Sequence, residues 1–206
     1  MSSARLLVTG PLLTGLLSLG VAAPACAAGS APVSGQYETL MLAVTPEHTV
    51  EGYYFEELGE GVTRKCAFFL QGRIGTAAAT KVTTWSGPVF PGSVTPTADG
   101  VNLVVERGTE HLGCGSVMYP DIDKGLDLAR TADRKWIGLL TVSAEKAYLQ
   151  KARGGTAAKG PYIVARNVVA VLAYQDGWAQ VEYINADAKS FIGWIRDDQY
   201  QHLKAP

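Results

Sequence analysis

The densest group of residues capable of chemistry in this 206-residue sequence is Glu110-His111, followed three positions later by Cys114. Imidazole and thiolate groups at close spacing are typical of metal sites, and a Cys–His pair is typical of nucleophilic enzymes. The other histidines, His48 and His202, stand far from this cluster in the chain. Because a zinc site needs three or four converging ligands, we predict no metal and no other cofactor. Catalysis with His111 as the general base stays open as an alternative.

The cysteines are explained better by a disulfide than by catalysis. Cys66 lies in the apolar, strand-like run Lys65-Cys-Ala-Phe-Phe-Leu, which suits a structural crosslink better than a reactive thiolate. In an exported protein an even pair of cysteines is typical of a disulfide. The sequence therefore predicts a disulfide between Cys66 and Cys114.

Other common catalytic patterns do not occur in the sequence. It contains no Gly-x-Ser-x-Gly elbow, no phosphate-binding loop and no dinucleotide fingerprint. Glu56, Glu57 and Glu60 cluster before and within a glycine-rich turn, where two carboxylates could serve a glycosidase. A solvated hairpin tip explains these carboxylates better, because charged residues favour exposed turns. We predict no catalytic residues.

The first 27 residues have the layout of a secretory signal peptide. A short basic start at 1–5 is followed by the apolar run 6–23 and by Ala25-Cys26-Ala27, which fits an A-x-A cleavage site. Lipidation at Cys26 is a less favoured alternative, because no Leu or similar residue stands three positions before it. We therefore predict a periplasmic or secreted protein that has no transmembrane span after signal cleavage.

Composition and charge narrow the class of partner. The chain is 47% hydrophobic and 18% charged, with a net charge of −1, which is ordinary for a globular protein. Nucleic-acid binding needs a strong basic patch, and the sequence contains none. Nucleic acid is therefore excluded as a predicted partner.

Residues 35–143 are predicted to form an all-β unit, a disulfide-stapled β-barrel or sandwich, after a disordered lead-in at 28–34. Short β-branched and aromatic runs recur at intervals of about ten residues between glycine-rich turns. Asp99-Gly100 between two such runs predicts a hairpin. The best helical candidate is 121–132, although Gly125 weakens it. This part resembles no family that we recognise.

Residues 144–206 form a second predicted unit. Its two Gly-Trp pairs, Gly177-Trp178 and Gly193-Trp194, each begin a short strand-like run. Five such runs and their spacing resemble the bacterial SH3-like family, on the motifs Pro161-Tyr-Ile-Val, Val168-Val-Ala-Val-Leu, Gly177-Trp-Ala-Gln-Val, Gly193-Trp-Ile and Leu203. The resemblance implies a small SH3-like β-barrel that binds a ligand on its surface.

The aromatic side chains of this second unit are the candidate binding residues. Flat rings with a polar edge supply contact area for a peptide or glycan, although they also form the core of small barrels. Strand alternation places Trp178 on one face with Gln180 and Glu182, and the resemblance implies that this position lines the ligand surface. Trp194 is predicted to be core. The predicted binding residues are Trp178, Tyr162, Tyr174 and Tyr183.

Together these features predict an exported, non-enzymatic binding protein whose ligand is a cell-wall peptide or another protein. The first alternative is a periplasmic inhibitor or immunity-type protein that blocks a secreted enzyme. The second alternative is a hydrolase that uses His111 as its base.

Overall fold

A computed structural model describes residues 31–118, 120–155 and 160–206. The predicted signal peptide, including Cys26, lies outside the described residues. Within the described ranges, no helix has the length and apolar character needed to cross a bilayer.

The N-terminal part is a closed antiparallel β-barrel, which confirms the predicted all-β class. Each strand pairs with the next along the chain, and the first strand pairs with the eighth. The eight strands are β1 (Gly35–Tyr37), β2 (Leu40–Val44), β3 (Thr49–Leu58), β4 (Arg64–Arg73), β5 (Thr80–Trp85), β6 (Val89–Pro96), β7 (Gly100–Val105) and β8 (Leu126–Asp133). The first seven strands follow one another around the barrel and are joined by hairpin-type connections.

Strand alternation builds the barrel core. In β7 the residues Val101, Leu103 and Val105 are buried, and the residues between them are only partly buried. This period of two points one set of side chains into the barrel. The Asp99-Gly100 turn joins β6 to β7, as predicted, with Thr97 donating its N–H to the Gly100 carbonyl at 3.0 Å.

A segment between β7 and β8 packs against the barrel core through three short 3₁₀ turns, Gly108–Glu110, Cys114–Ser116 and Pro120–Asp123. Met118 and Ile122 of this segment belong to the same buried cluster as the barrel residues. The predicted disulfide is confirmed, since the Cys66 and Cys114 sulfurs are 2.03 Å apart. It joins this segment to β4, and both cysteines are fully buried.

The helix expected at 121–132 does not form. Gly125 adopts a φ of +119°, which ends the last 3₁₀ turn, and β8 begins at the next residue. β8 pairs with β7 on one side and with β1 on the other, so it closes the barrel. These ladder hydrogen bonds outweigh a helical propensity already weakened by glycine.

The C-terminal part contains a five-stranded sheet and a two-stranded hairpin. The sheet has the order β14-β13-β12-β9-β15 and the hairpin is β10-β11. Their bounds are β9 (Gly138–Val142), β10 (Lys146–Tyr148), β11 (Tyr162–Val164), β12 (Val168–Gln175), β13 (Trp178–Ile184), β14 (Ser190–Arg196) and β15 (Tyr200–His202). A 3₁₀ turn, Asp197–Gln199, precedes the last strand.

The sheet and the hairpin enclose a core of their own. The buried residues include Ala147 and Ile163 of the hairpin with Val169, Val181 and Ile195 of the sheet. Gln150, just after β10, exchanges two backbone hydrogen bonds with Trp194, at 2.8 and 3.0 Å. These bonds attach the hairpin side of the unit to the edge strand β14.

Two predicted boundaries need correction. The change from barrel to sheet falls between Asp133 and Gly138, because β9 pairs with β12 and β15 rather than with the barrel. The part of the lead-in that is described, 31–34, is bound rather than disordered. Ser34 donates its hydroxyl to the Trp136 carbonyl at 2.6 Å and accepts the Val44 N–H at 2.8 Å, which fixes the segment against the barrel.

Candidate functional site

One face of the C-terminal sheet packs against the outer wall of the barrel. Trp136, in the connection between the two parts, is 1% exposed and lies in a buried cluster at this junction. The cluster contains Ala43 of the barrel together with Leu139 and Ala170 of the sheet. The sheet therefore lies between two apolar layers, its own core and the barrel wall.

A buried carboxylate from the barrel fastens the sheet at this junction. Glu51, on the outer side of β3, accepts a hydrogen bond from the Leu139 N–H at 2.7 Å. It also accepts one from the Gln71 side-chain amide at 3.2 Å. Burial raises the pKa of the Glu51 carboxyl, and these two hydrogen bonds lower it by less. The same Gln71 side chain accepts the Ala205 N–H at 3.3 Å, so the chain's C-terminal segment joins the network.

A second buried carboxylate belongs to the sheet and contacts the connection between the barrel and the sheet. Glu182, on β13, accepts the Trp136 indole N–H at 2.7 Å and the Ser190 hydroxyl at 2.6 Å. The Arg134 guanidinium lies 3.5 Å from the same carboxylate. The connection between barrel and sheet is thus held by charge-assisted hydrogen bonds, which are stronger than neutral ones.

A groove of about 550 Å³ opens between the two parts, and we call it the junction groove. Its size lies within the range typical of small-ligand sites. Its lining residues are Tyr53, Ala67 and Phe69 of the barrel and Thr141, Val142, Ser143, Ala165, Arg166 and Gln201 of the C-terminal part. Neither part forms this groove alone.

The barrel wall of the junction groove continues into a strip of aromatic rings on the outside of β3, β4 and β5. The rings of Tyr53 and Phe69 lie 5.1 Å apart between centroids, and those of Phe69 and Trp85 lie 5.8 Å apart. Phe55 extends the strip at 6.2 Å from Tyr53 and is 38% exposed. Such a strip offers a flat apolar surface beside the groove.

His111, the residue favoured for chemistry by the sequence, lies away from this groove in the 3₁₀ segment. It is 2% exposed and stacks on Phe68 at a centroid distance of 4.7 Å. Its Nε2 lies 2.9 Å from the Thr84 hydroxyl and its Nδ1 lies 3.1 Å from the Ser86 hydroxyl. Burial lowers the pKa of His111 to about 4, so the ring is neutral near pH 7.

These contacts assign His111 a packing role. Thr84 donates its hydroxyl to the Phe90 carbonyl, so it accepts the Nε2–H of the ring. Cys114 is held in the disulfide and cannot act as a thiolate. Within the described ranges, no group of three or more His, Cys, Asp or Glu side chains could hold a metal ion. A hydrolase that uses His111 as its base gains no support from this geometry.

The structure distributes the four predicted binding residues over different surfaces. Trp178 is half-buried, and its cross-strand partners Gln175 and Arg196 place it at one end of the sheet. Tyr174 lies on the opposite face, beside His202, and Tyr183 lies on that same face against the inner core. Tyr162 is exposed on the hairpin. These side chains are not brought into one groove.

The prediction that Trp194 lies in the core is wrong. Its cross-strand partner is Gln180, so it lies on the same face of the sheet as Trp178. We call this the outer face, because it is turned away from the core of the C-terminal unit. The Arg153 guanidinium lies 5.5 Å above its ring, and the side chain is half-buried. The sequence could not show this because the pairing register between two strands decides which face a residue occupies.

Sequence reasoning missed the residues of the junction groove. Tyr53-Tyr54-Phe55 places aromatic rings at consecutive positions of one strand, and alternation must turn some of them outward. That pattern was the available indication of an aromatic outer wall. Arg166 gave no comparable indication, because its position depends on a turn that meets the barrel only in the folded chain.

Comparison of the chain with models of known protein families, with curated proteins and with solved structures gave no match. The function is therefore argued from the geometry of the chain itself.

Proposed function

We propose that this chain is an exported, non-enzymatic binding protein that takes its ligand in the junction groove. The observation that carries the proposal is a groove of about 550 Å³ between the two parts, lined by the Tyr53 and Phe69 rings of the barrel and by Arg166 of the C-terminal part. Ligand sites are mostly apolar hollows with a few convergent polar groups, and they occur preferentially between structural units. The groove has both properties.

The compartment proposed for this activity is the periplasm or the cell exterior. The buried Cys66–Cys114 disulfide supports an oxidising environment, where such bonds persist. The ligand that we propose is a cell-wall peptide or a protein partner, since both are available there.

We also propose that the C-terminal unit is SH3-like. A sheet and a hairpin that enclose one small core support this, together with the two Gly-Trp strand starts. The identity of this unit matters for the proposal because SH3-like barrels present ligand surfaces between their strands and loops. In this chain the outer wall of the N-terminal eight-stranded barrel would complete such a surface.

Retention on purified peptidoglycan tests the proposal. We expect the wild-type protein to sediment with the wall material, and Tyr53→Ala or Phe69→Ala to weaken retention by about tenfold, because each loses a ring from the groove wall. Trp178→Ala serves as the matched control, since it removes a half-buried aromatic ring at the other end of the sheet.

The outcomes separate the two candidate surfaces. Loss of retention on Trp178→Ala with full retention by Tyr53→Ala would move the site to the outer face of the sheet, as the sequence alone predicted. Absence of retention for the wild-type protein would remove the cell-wall ligand. Circular dichroism of each variant confirms that the fold persists.

The β3–β4 hairpin favours a second candidate function, that of an inhibitor or immunity-type protein. Past Tyr54 and Phe69 these two strands pair with each other and not with β2 or β5. The tip carries Leu58, 40% exposed, and Val62, 87% exposed. Inhibition of secreted hydrolases by the wild type but not by Val62→Asp would support this function over the first.

A further inference from the structure

Charge distinguishes the two sides of the junction groove. Arg166 is the only charged side chain among the lining residues, and it is exposed. Among the described residues, no carboxylate lies within ion-pairing distance of its guanidinium. A guanidinium that lacks such a partner and lines a groove together with apolar rings is complementary to an anionic group on a ligand.

The backbone holds Arg166 firmly at this position. Its φ of +73° is in the left-handed region, which glycine and asparagine adopt far more readily than arginine. The turn is fixed because Arg166 donates its N–H to the Val142 carbonyl at 2.8 Å, and Val142 donates to the Asn167 carbonyl at 2.9 Å. The Asn167 side chain also accepts the Val164 N–H at 3.1 Å. These hydrogen bonds fix the backbone from which the Arg166 side chain extends.

The remaining lining groups define the rest of the ligand. Tyr53 offers a phenol that, among the described residues, makes no hydrogen bond to the protein. Thr141, Ser143 and Gln201 add neutral polar side chains. The other surfaces are aliphatic or aromatic, so the body of the ligand must be short and mainly apolar. A single positive charge matches a monoanion, such as a carboxylate, more closely than a phosphate dianion.

We propose that the junction groove binds a short aliphatic peptide by its free C-terminal carboxylate, which pairs with the Arg166 guanidinium. The apolar side chains of the peptide would lie on Tyr53 and Phe69. This inference rests on the proposed function and specifies the ligand class of the same site. The size of the groove suits a few peptide residues rather than a folded partner.

Calorimetric titration with four small probes tests this assignment. The probes are N-acetyl-D-alanyl-D-alanine, N-acetyl-L-alanyl-L-alanine and the C-terminal amide of each. We expect the wild-type protein to bind at least one carboxylate about tenfold more tightly than its amide, because the amide cannot form a charged pair. The ratio between the D and L probes distinguishes a wall peptide from the C terminus of a protein.

Arg166→Gln is the decisive variant, because it keeps a polar side chain of similar length and removes the charge. We expect it to bind the carboxylate and the amide equally. Arg64→Gln is the matched control, since Arg64 is also exposed but lies outside the groove lining, and we expect it to keep the wild-type ratio. An unchanged ratio in Arg166→Gln, or no binding of either carboxylate at roughly 10 mM, would overturn the inference.

The peptidoglycan assay separates this inference from the function on which it rests. Wild-type retention that depends on Tyr53, combined with no preference for carboxylate over amide, would leave the proposed function standing and sink the carboxylate assignment. Absence of wild-type retention, combined with an Arg166-dependent carboxylate preference, would support the assignment and remove the cell-wall ligand.

Discussion

The Glu51 carboxylate, on the outer wall of the barrel, accepts the backbone N–H of Leu139 in the second unit at 2.7 Å. Leu139 is the second residue of β9, at the point where this strand is not covered by β15. The Glu51 side chain of the barrel therefore accepts an N–H that no neighbouring strand of the sheet accepts. This contact joins the barrel to the sheet beside the junction groove, together with the buried apolar cluster around Trp136.

Glu51→Ala is expected to lower the free energy of unfolding by about 2 kcal/mol, because the Leu139 N–H and the Gln71 amide each lose an acceptor. Urea denaturation at neutral pH measures the change. Glu47→Ala is the control, since Glu47 is an exposed glutamate close to β3 in the chain. Equal stability of the two variants would show that the contact does not hold the units together.

The part of the Glu51 contribution that is linked to proton binding should fall as the pH rises. Burial raises the pKa of Glu51 in the folded protein, so the folded state binds this proton more tightly than the unfolded chain does. The contribution is therefore fully present below the ordinary glutamate pKa of about 4.3 and declines as the pH rises through the raised folded-state pKa. Unfolding free energies of wild type and Glu51→Gln across this window measure it. A pH-independent difference between them contradicts the prediction.

His111 should give a pH dependence of the opposite sign. Its pKa is lowered to about 4 by burial, so its contribution is present above the unfolded pKa and lost as the pH falls through the folded one. Between about pH 7 and pH 4 we expect the wild type to lose about 3 kcal/mol more than His111→Phe, which stays neutral. Phenylalanine can keep the stacking on Phe68. Parallel pH profiles for the two proteins would refute a buried neutral histidine.

Removal of the disulfide should destabilise the barrel. The bond joins residues 48 positions apart, and the chain-entropy model assigns about 4 kcal/mol to a loop of this length. We expect Cys66→Ala/Cys114→Ala to lose roughly this amount in guanidinium unfolding, and the reduced wild type to match the double variant. If reduction leaves the wild type as stable as its oxidised form while the double variant is destabilised, the alanines rather than the missing bond cause the effect.

Gly193→Ala should disrupt the attachment of the hairpin side to β14. A Cβ at this position would lie 2.7 Å from the Leu149 Cβ and 3.0 Å from its backbone carbon. We expect a loss of about 2 kcal/mol, since tightly packed backbone has little room to move. Gly75→Ala, where a Cβ meets nothing within 4 Å, is the control. Thermal unfolding that leaves Gly193→Ala as stable as Gly75→Ala would contradict the packing at Leu149.

Much of the C-terminal strand pattern was predictable because its signals are local. The run that begins at Trp178 becomes a strand with the expected ends, since alternation and the Asp176-Gly177 turn both act within a few residues. The assignment of Trp178 to the outer face follows from the same alternation. The error for Trp194 and the error for 121–132 arise from pairing with distant strands, which no local pattern encodes.

The sequence by itself determined the all-β class, the Asp99-Gly100 hairpin and the cysteine pairing, because strand period, turn chemistry and an even cysteine count are properties of neighbouring residues or of composition. Only the tertiary structure decided that Glu51 meets Leu139 and that Tyr53 and Arg166 line the same groove. Each of these pairs joins positions about 90 or more residues apart. Such contacts arise from the docking of one folded surface on another, where shape and burial rather than local periodicity select the partners.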